Sequence, residues 1–63
     1  MKIICVDNFN RDNVSDILVC SGISNHNGKV CVYALNSVVG GGENTGSYYK
    51  LVDDNHVLYE FKP

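Results

Sequence analysis

The chain has 63 residues, five Lys or Arg against seven Asp or Glu for a net charge of −2, and 44% hydrophobic residues. One domain is expected at this length, burying only about 60% of the surface its unfolded chain exposes; small chains of this kind usually gain a staple or a second subunit. The basic residues Lys2, Arg11, Lys29, Lys50 and Lys62 stand singly, which speaks against nucleic-acid binding by phosphate neutralisation. The scattered carboxylates do not make the dense acidic face that mimicry of nucleic acid needs.

Lys2 to Val6 reads as a short buried strand, Lys-Ile-Ile-Cys-Val, stopped by Asp7-Asn8. Its apolar run is too short for a signal peptide or a membrane span, so a cytoplasmic protein is expected, with no membrane partner. Val14, Ile17, Leu18 and Ser21 then fall at helical spacing. Asn10 is a suitable cap, Asp12 suits the first turn and Gly22 the stop. A helix over residues 11–20 is predicted.

Residues 24–36 carry two readings. Lys29 to Leu35 is rich in strand formers, and Asn27-Gly28 before it has the composition of a hairpin turn. Ile23, Val30 and Ala34, and likewise Cys31, Leu35 and Val38, also share helical faces, with Ser24 as cap. Residues 38–46, with three consecutive glycines, read as a flexible connector.

Two strand-like runs, Tyr48–Val52 and His56–Phe61, flank Asp53-Asp54-Asn55 and predict a C-terminal hairpin. A three-residue loop would set Leu51 opposite Val57 and Tyr49 opposite Tyr59, with Phe61 on the same face and Lys50, His56 and Glu60 on the other. The expected fold is a small α+β domain: an N-terminal strand, one or two helices, and the hairpin completing a three-stranded sheet. An all-β meander is the alternative if residues 29–35 are extended.

The residues with chemical potential read mainly as structure. Cys5, Cys20 and Cys31 are odd in number and form no CxxC pair, so free thiols are expected and neither disulfides nor metal. His26 and His56 have no evident nucleophile beside them. Gly41 to Gly46 has the outer glycines of a phosphate-binding loop, but Ser47 stands where its lysine belongs and a strand follows in place of a helix. Asp53-Asp54 lacks the alternating oxygen ligands of a calcium loop, and Asp12 and Asp16 read as a solvated face. No cofactor and no catalysis are expected. Tyr48, Tyr49, Tyr59 and Phe61, crowded on the predicted hairpin, are the candidate interface, and a homodimer through them is expected.

The run Asp7-Asn8-Phe9-Asn10-Arg11-Asp12-Asn13-Val14-Ser15-Asp16-Ile17-Leu18-Val19 is followed by Ala34-Leu35-Asn36, Tyr48-Tyr49-Lys50, Asp53-Asp54 and Leu58 to Pro63. This layout resembles small phage-encoded accessory proteins, across nearly the whole chain. The resemblance implies a helix over the stretch that ends in Leu35-Asn36. It also implies a protein that binds and inhibits a host protein, components of antiviral defence included, in the host cytoplasm. A small-ligand or nucleotide binder closing the Gly40–Gly46 loop over an anion is the alternative.

Overall fold

The computed structural model describes residues 1–9, 11–38 and 46–62. Three strands and one helix follow in the order β1 (Lys2–Asp7), β2 (Ile17–Cys20), α1 (Asn25–Val38) and β3 (Ser47–Val52). The strands form one antiparallel sheet in the order β2-β1-β3. The fold is a small α+β domain, as predicted, although two of its elements are not those the sequence suggested.

β1 lies at the centre, and its buried side chains Ile3, Ile4 and Val6 form the core of the described residues. Burying an aliphatic side chain of this kind contributes on the order of 1.5–3 kcal/mol. Because side chains alternate along a strand, Ile3 and Cys5 face one side with Leu51 and Tyr49, their partners on β3, while Ile4 and Val6 face the other with Lys50 and Tyr48. The first face is covered by α1, the second by the segment after β3.

Helix α1 resolves the ambiguity at residues 24–36. Ser24 caps it as predicted, its Oγ accepting from Asn27 N–H at 3.2 Å while its carbonyl accepts from Gly28 N–H at 2.7 Å. Asn27-Gly28 is therefore not a turn. Gly28 is the buried residue of the helix, and a Cβ there would press on Leu51, 3.0 Å from Cδ2 and 3.3 Å from Cγ. The glycine lets the helix lie close on β3. Gly22, at a φ of 70°, makes the reversal between β2 and α1, where a side chain would be strained.

The predicted helix over 11–20 is absent. Residues 11–16 are irregular and Ile17 to Cys20 forms β2. The helical spacing of Val14, Ile17 and Leu18 was incidental to a run of four consecutive apolar residues, which fits a strand equally well and finds pairing partners in β1. The register explains why that run does not alternate: Ile17 opposes Cys5, Leu18 opposes Ile4, and Cys20 opposes Ile3. Val19 is left over as a bulge, which returns Cys20 to the side of Ile17.

The C-terminal hairpin is also absent. The turn exists, with His56 N–H bonded to the Asp53 carbonyl at 3.0 Å, but residues 56–61 do not return along β3. They cross to the other side of the sheet. Lys2 Nζ donates to the His56 carbonyl at 2.8 Å; Tyr59 accepts from Asp16 N–H at 2.8 Å and donates its own N–H to Asp16 Oδ2 at 2.9 Å; Phe61 N–H reaches Ser15 Oγ at 2.8 Å. The expected pairs Leu51–Val57 and Tyr49–Tyr59 are not formed, and β2 takes the place of the predicted third strand. The Asn10 cap and most of the glycine-rich connector, residues 39–45, lie outside the described residues.

Replacing Gly28 tests the close contact. Alanine favours a helix by about 1 kcal/mol over glycine, but overpacking costs about 1–3 kcal/mol, so Gly28→Ala should lower stability in denaturant unfolding. In a Leu51→Ala background the same substitution should instead raise it.

Candidate interaction surface

The two edges of the sheet are treated differently. At β3, Asn36 reaches from α1 to the backbone of Tyr49: its Oδ1 accepts from Tyr49 N–H at 2.9 Å and its Nδ2 donates to the Tyr49 carbonyl at 3.0 Å. The side-chain amide thus occupies two of the backbone groups a fourth strand would use, in the middle of β3, and it interrupts the pairing that the predicted hairpin required. On the β2 side the C-terminal segment bonds to Asp12, Ser15 and Asp16, before the strand, and none of these bonds ties it to residues 17–20. Residues 17–20 carry no charge and no proline, the usual means by which an edge is protected.

Beside β2 the sheet is also bare on its helix side. Helix α1 packs on β3 and, less closely, on β1; none of its Cα atoms lies within 8 Å of one in β2. Between them runs an apolar groove of about 490 Å³ lined by Ile3, Val19, Cys20, Cys31, Ala34, Leu35 and Val38. Residues 31, 34, 35 and 38 recur on one side of the helix, the periodicity noticed in the sequence for Cys31, Leu35 and Val38. Ile17, Leu18, Val19, Val30, Tyr33 and Val38 are all exposed. Sequence reasoning missed this surface because it read β2 as helix.

The residues expected to form an interface are separated. Tyr48 and Tyr49 point to opposite faces of β3 and are half-buried. Tyr59 and Phe61 lie across the sheet beside residues 12–16, where the Tyr59 hydroxyl donates to the Asp12 carbonyl. Both keep exposed rings. No single aromatic patch joins the four.

The thiols are free, Cys5 and Cys20 half-buried and Cys31 exposed. Cys20 and Cys31 line the same groove, yet their Cα atoms are more than 8 Å apart, beyond the reach of a disulfide without backbone movement. His26 lies in the first turn of α1 and His56 follows the turn after β3. Among the described residues no three His, Cys, Asp or Glu side chains are placed to hold a metal ion, and no helix is long and apolar enough to cross a membrane.

A second depression, about 450 Å³, is lined by Met1, Leu51, Val52, Asp53, Asn55 and His56. Nearby polar groups already have partners: the Met1 ammonium donates to the Ile23 carbonyl at 2.9 Å and pairs with Asp54 at 3.0 Å. A second ion pair lies at the end of β1. Arg11 meets Asp7 through Nη2 at 2.6 Å, Nε at 3.0 Å and its backbone N–H at 2.6 Å, with its guanidinium 5.4 Å from the centre of the Phe9 ring. The side-chain hydrogen bond from Arg11 holds the Asp7 carboxyl below its ordinary pKa.

No protein-family model, curated protein or solved structure matches the chain.

Two outcomes follow from the edge cap and the ion pair. Asn36→Ala should destabilise the fold by about 1–3 kcal/mol, since two backbone groups lose their partners, and should promote self-association through β3, read by unfolding and light scattering. Asp7 is more acidic when folded, so its contribution is present above the unfolded pKa and disappears as pH falls through the folded one. Arg11→Ala should therefore lower stability at neutral pH and leave it unchanged in strong acid, and carboxyl NMR should show the Asp7 pKa moving up toward its ordinary value.

Proposed function

We propose that this chain is a non-catalytic protein-interaction module, and that it binds through the apolar surface formed by β2 and the groove side of α1. The observation that carries the reading is the mismatch in width between the layers: one helix covers two strands of a three-stranded sheet, and the uncovered strand is uncharged, apolar and at an edge. Exposed apolar surface that is contiguous and flanks a groove is characteristic of interaction sites. The opposite edge is interrupted by Asn36 on the Tyr49 backbone, so the more open sheet edge is the one beside the groove. The resemblance to phage accessory proteins supplies a class for one partner, a host protein such as a component of antiviral defence.

A photo-crosslinking residue at Ala34, which is exposed and lines the groove, tests the reading in living cells, with the same residue at exposed Asp54 as control. Crosslinks to protein from position 34 and not from 54 are expected. Their absence at 34, or equal yields from the two positions, would overturn the assignment of the surface.

A further inference from the structure

We infer that the groove between α1 and β2 is filled by α1 of a second copy of this chain. The inference rests on the reading of this face as an interaction surface and names its occupant. β2 lies two strand spacings, about 10 Å, from β3, on which α1 chiefly packs. Helices in contact lie about 8–10 Å apart. A second helix over β2 would therefore stand at packing distance beside α1.

Such a helix needs two apolar sides roughly at right angles, one against α1 and one against β2. α1 has both. Cys31, Ala34 and Val38 recur on its groove side, and Val30 and Tyr33 fall, at helical spacing from buried Gly28, on the side turned away from its own sheet. A two-fold axis parallel to the helices satisfies every requirement at once. It lays Val30 and Tyr33 of each copy over Ile17 and Val19 of the other, and brings Cys31, Ala34 and Val38 against their own equivalents. Two sheets then enclose one layer of two parallel helices.

Charge does not oppose this arrangement. None of these residues is ionic, and Lys29, the single Lys, Arg, Asp or Glu of α1, falls on the Asn36 side of the helix, away from the groove. The area is sufficient as well. Ile17, Val19, Val30, Tyr33 and Val38 are between 43% and 84% exposed; at about 100 Å² for an aliphatic side chain and about 200 Å² for tyrosine, they offer roughly 800 Å² between two copies. Exposed Cys31 and Ala34 bring the total toward the ~1,000 Å² that a specific interface requires.

Sedimentation equilibrium at tens of micromolar should give twice the 6.9 kDa of the chain. Ala34→Arg and Val38→Lys place a charge in the helix seam at exposed positions and should weaken association by about tenfold or more, with the far-ultraviolet circular dichroism of the wild type retained. Cys31 gives a second readout in a Cys5→Ser/Cys20→Ser variant treated with oxidised glutathione. One Cys31 thiolate displaces a glutathione thiolate to form a mixed disulfide, and the partner's Cys31 thiolate then displaces the second glutathione. One intermolecular disulfide and two reduced glutathione molecules result. This covalent dimer should form readily, should be suppressed by Ala34→Arg, and should not form when Asp54→Cys replaces Cys31 as the thiol. A 6.9 kDa species alone, association indifferent to both charged variants, or equal crosslinking through position 54 would each overturn the proposal. A monomer that still crosslinks to another protein through position 34 would remove the second copy as occupant and leave the interaction surface standing.

Discussion

The structure depends on one strand being buried on both faces. Among the described residues β1 contributes all three buried hydrophobic side chains, with Ile3 turned toward α1 and Ile4 and Val6 toward the segment that follows β3. Everything else is arranged to cover it. The helix is capped by Ser24 and brought close by Gly28, and the last described residues are tied across the sheet by Lys2, Ser15 and Asp16. With so little material, covering β1 twice leaves β2 uncovered on its helix side. The exposed apolar surface is thus a direct outcome of how a short chain distributes its cover.

Asn36 gives this distribution its direction. A bare edge invites another strand, and a sheet with two bare edges could extend indefinitely. One side-chain amide on the Tyr49 backbone interrupts one edge at its middle, while residues 17–20 of the other edge carry no such cap among the described residues. An edge left open on one side and interrupted on the other suits a binding module, and it is compatible with a closed symmetric pair.

The fold class was legible in the sequence because it rests on composition and on one unambiguous strand, Lys2 to Val6. The strand β2, read as part of a helix, and the pairing of the final segment were not. Ile17 to Cys20 carries four apolar residues in a row, and such a run has no period by which helix and strand can be told apart; the bulge at Val19 removes even the alternation a paired strand would show. Residues 56–61 alternate well enough for a strand, but whether they pair with β3 depends on whether that edge is free, and the group that occupies it, Asn36, lies 13 positions before Tyr49. Ser24 was legible as a cap because capping is local. The groove could not be foreseen, since it requires knowing that β2 and α1 stand on the same side of β1.

The strap formed by residues 56–61 has a consequence for how the chain reaches this state. Its hydrogen bonds join residues 54 positions apart at Lys2 and His56 and 43 apart at Asp16 and Tyr59. Such distant contacts demand that a large loop close before any stabilisation is returned, which places folding among the slower topologies for a protein of this size. Until the strap docks, the face carrying Ile4 and Val6 stands open to water alongside the uncovered β2, and the half-formed sheet is apolar on both sides. A chain whose strap is undone therefore exposes apolar surface on both sides of its sheet, and that form is the one most open to misassociation.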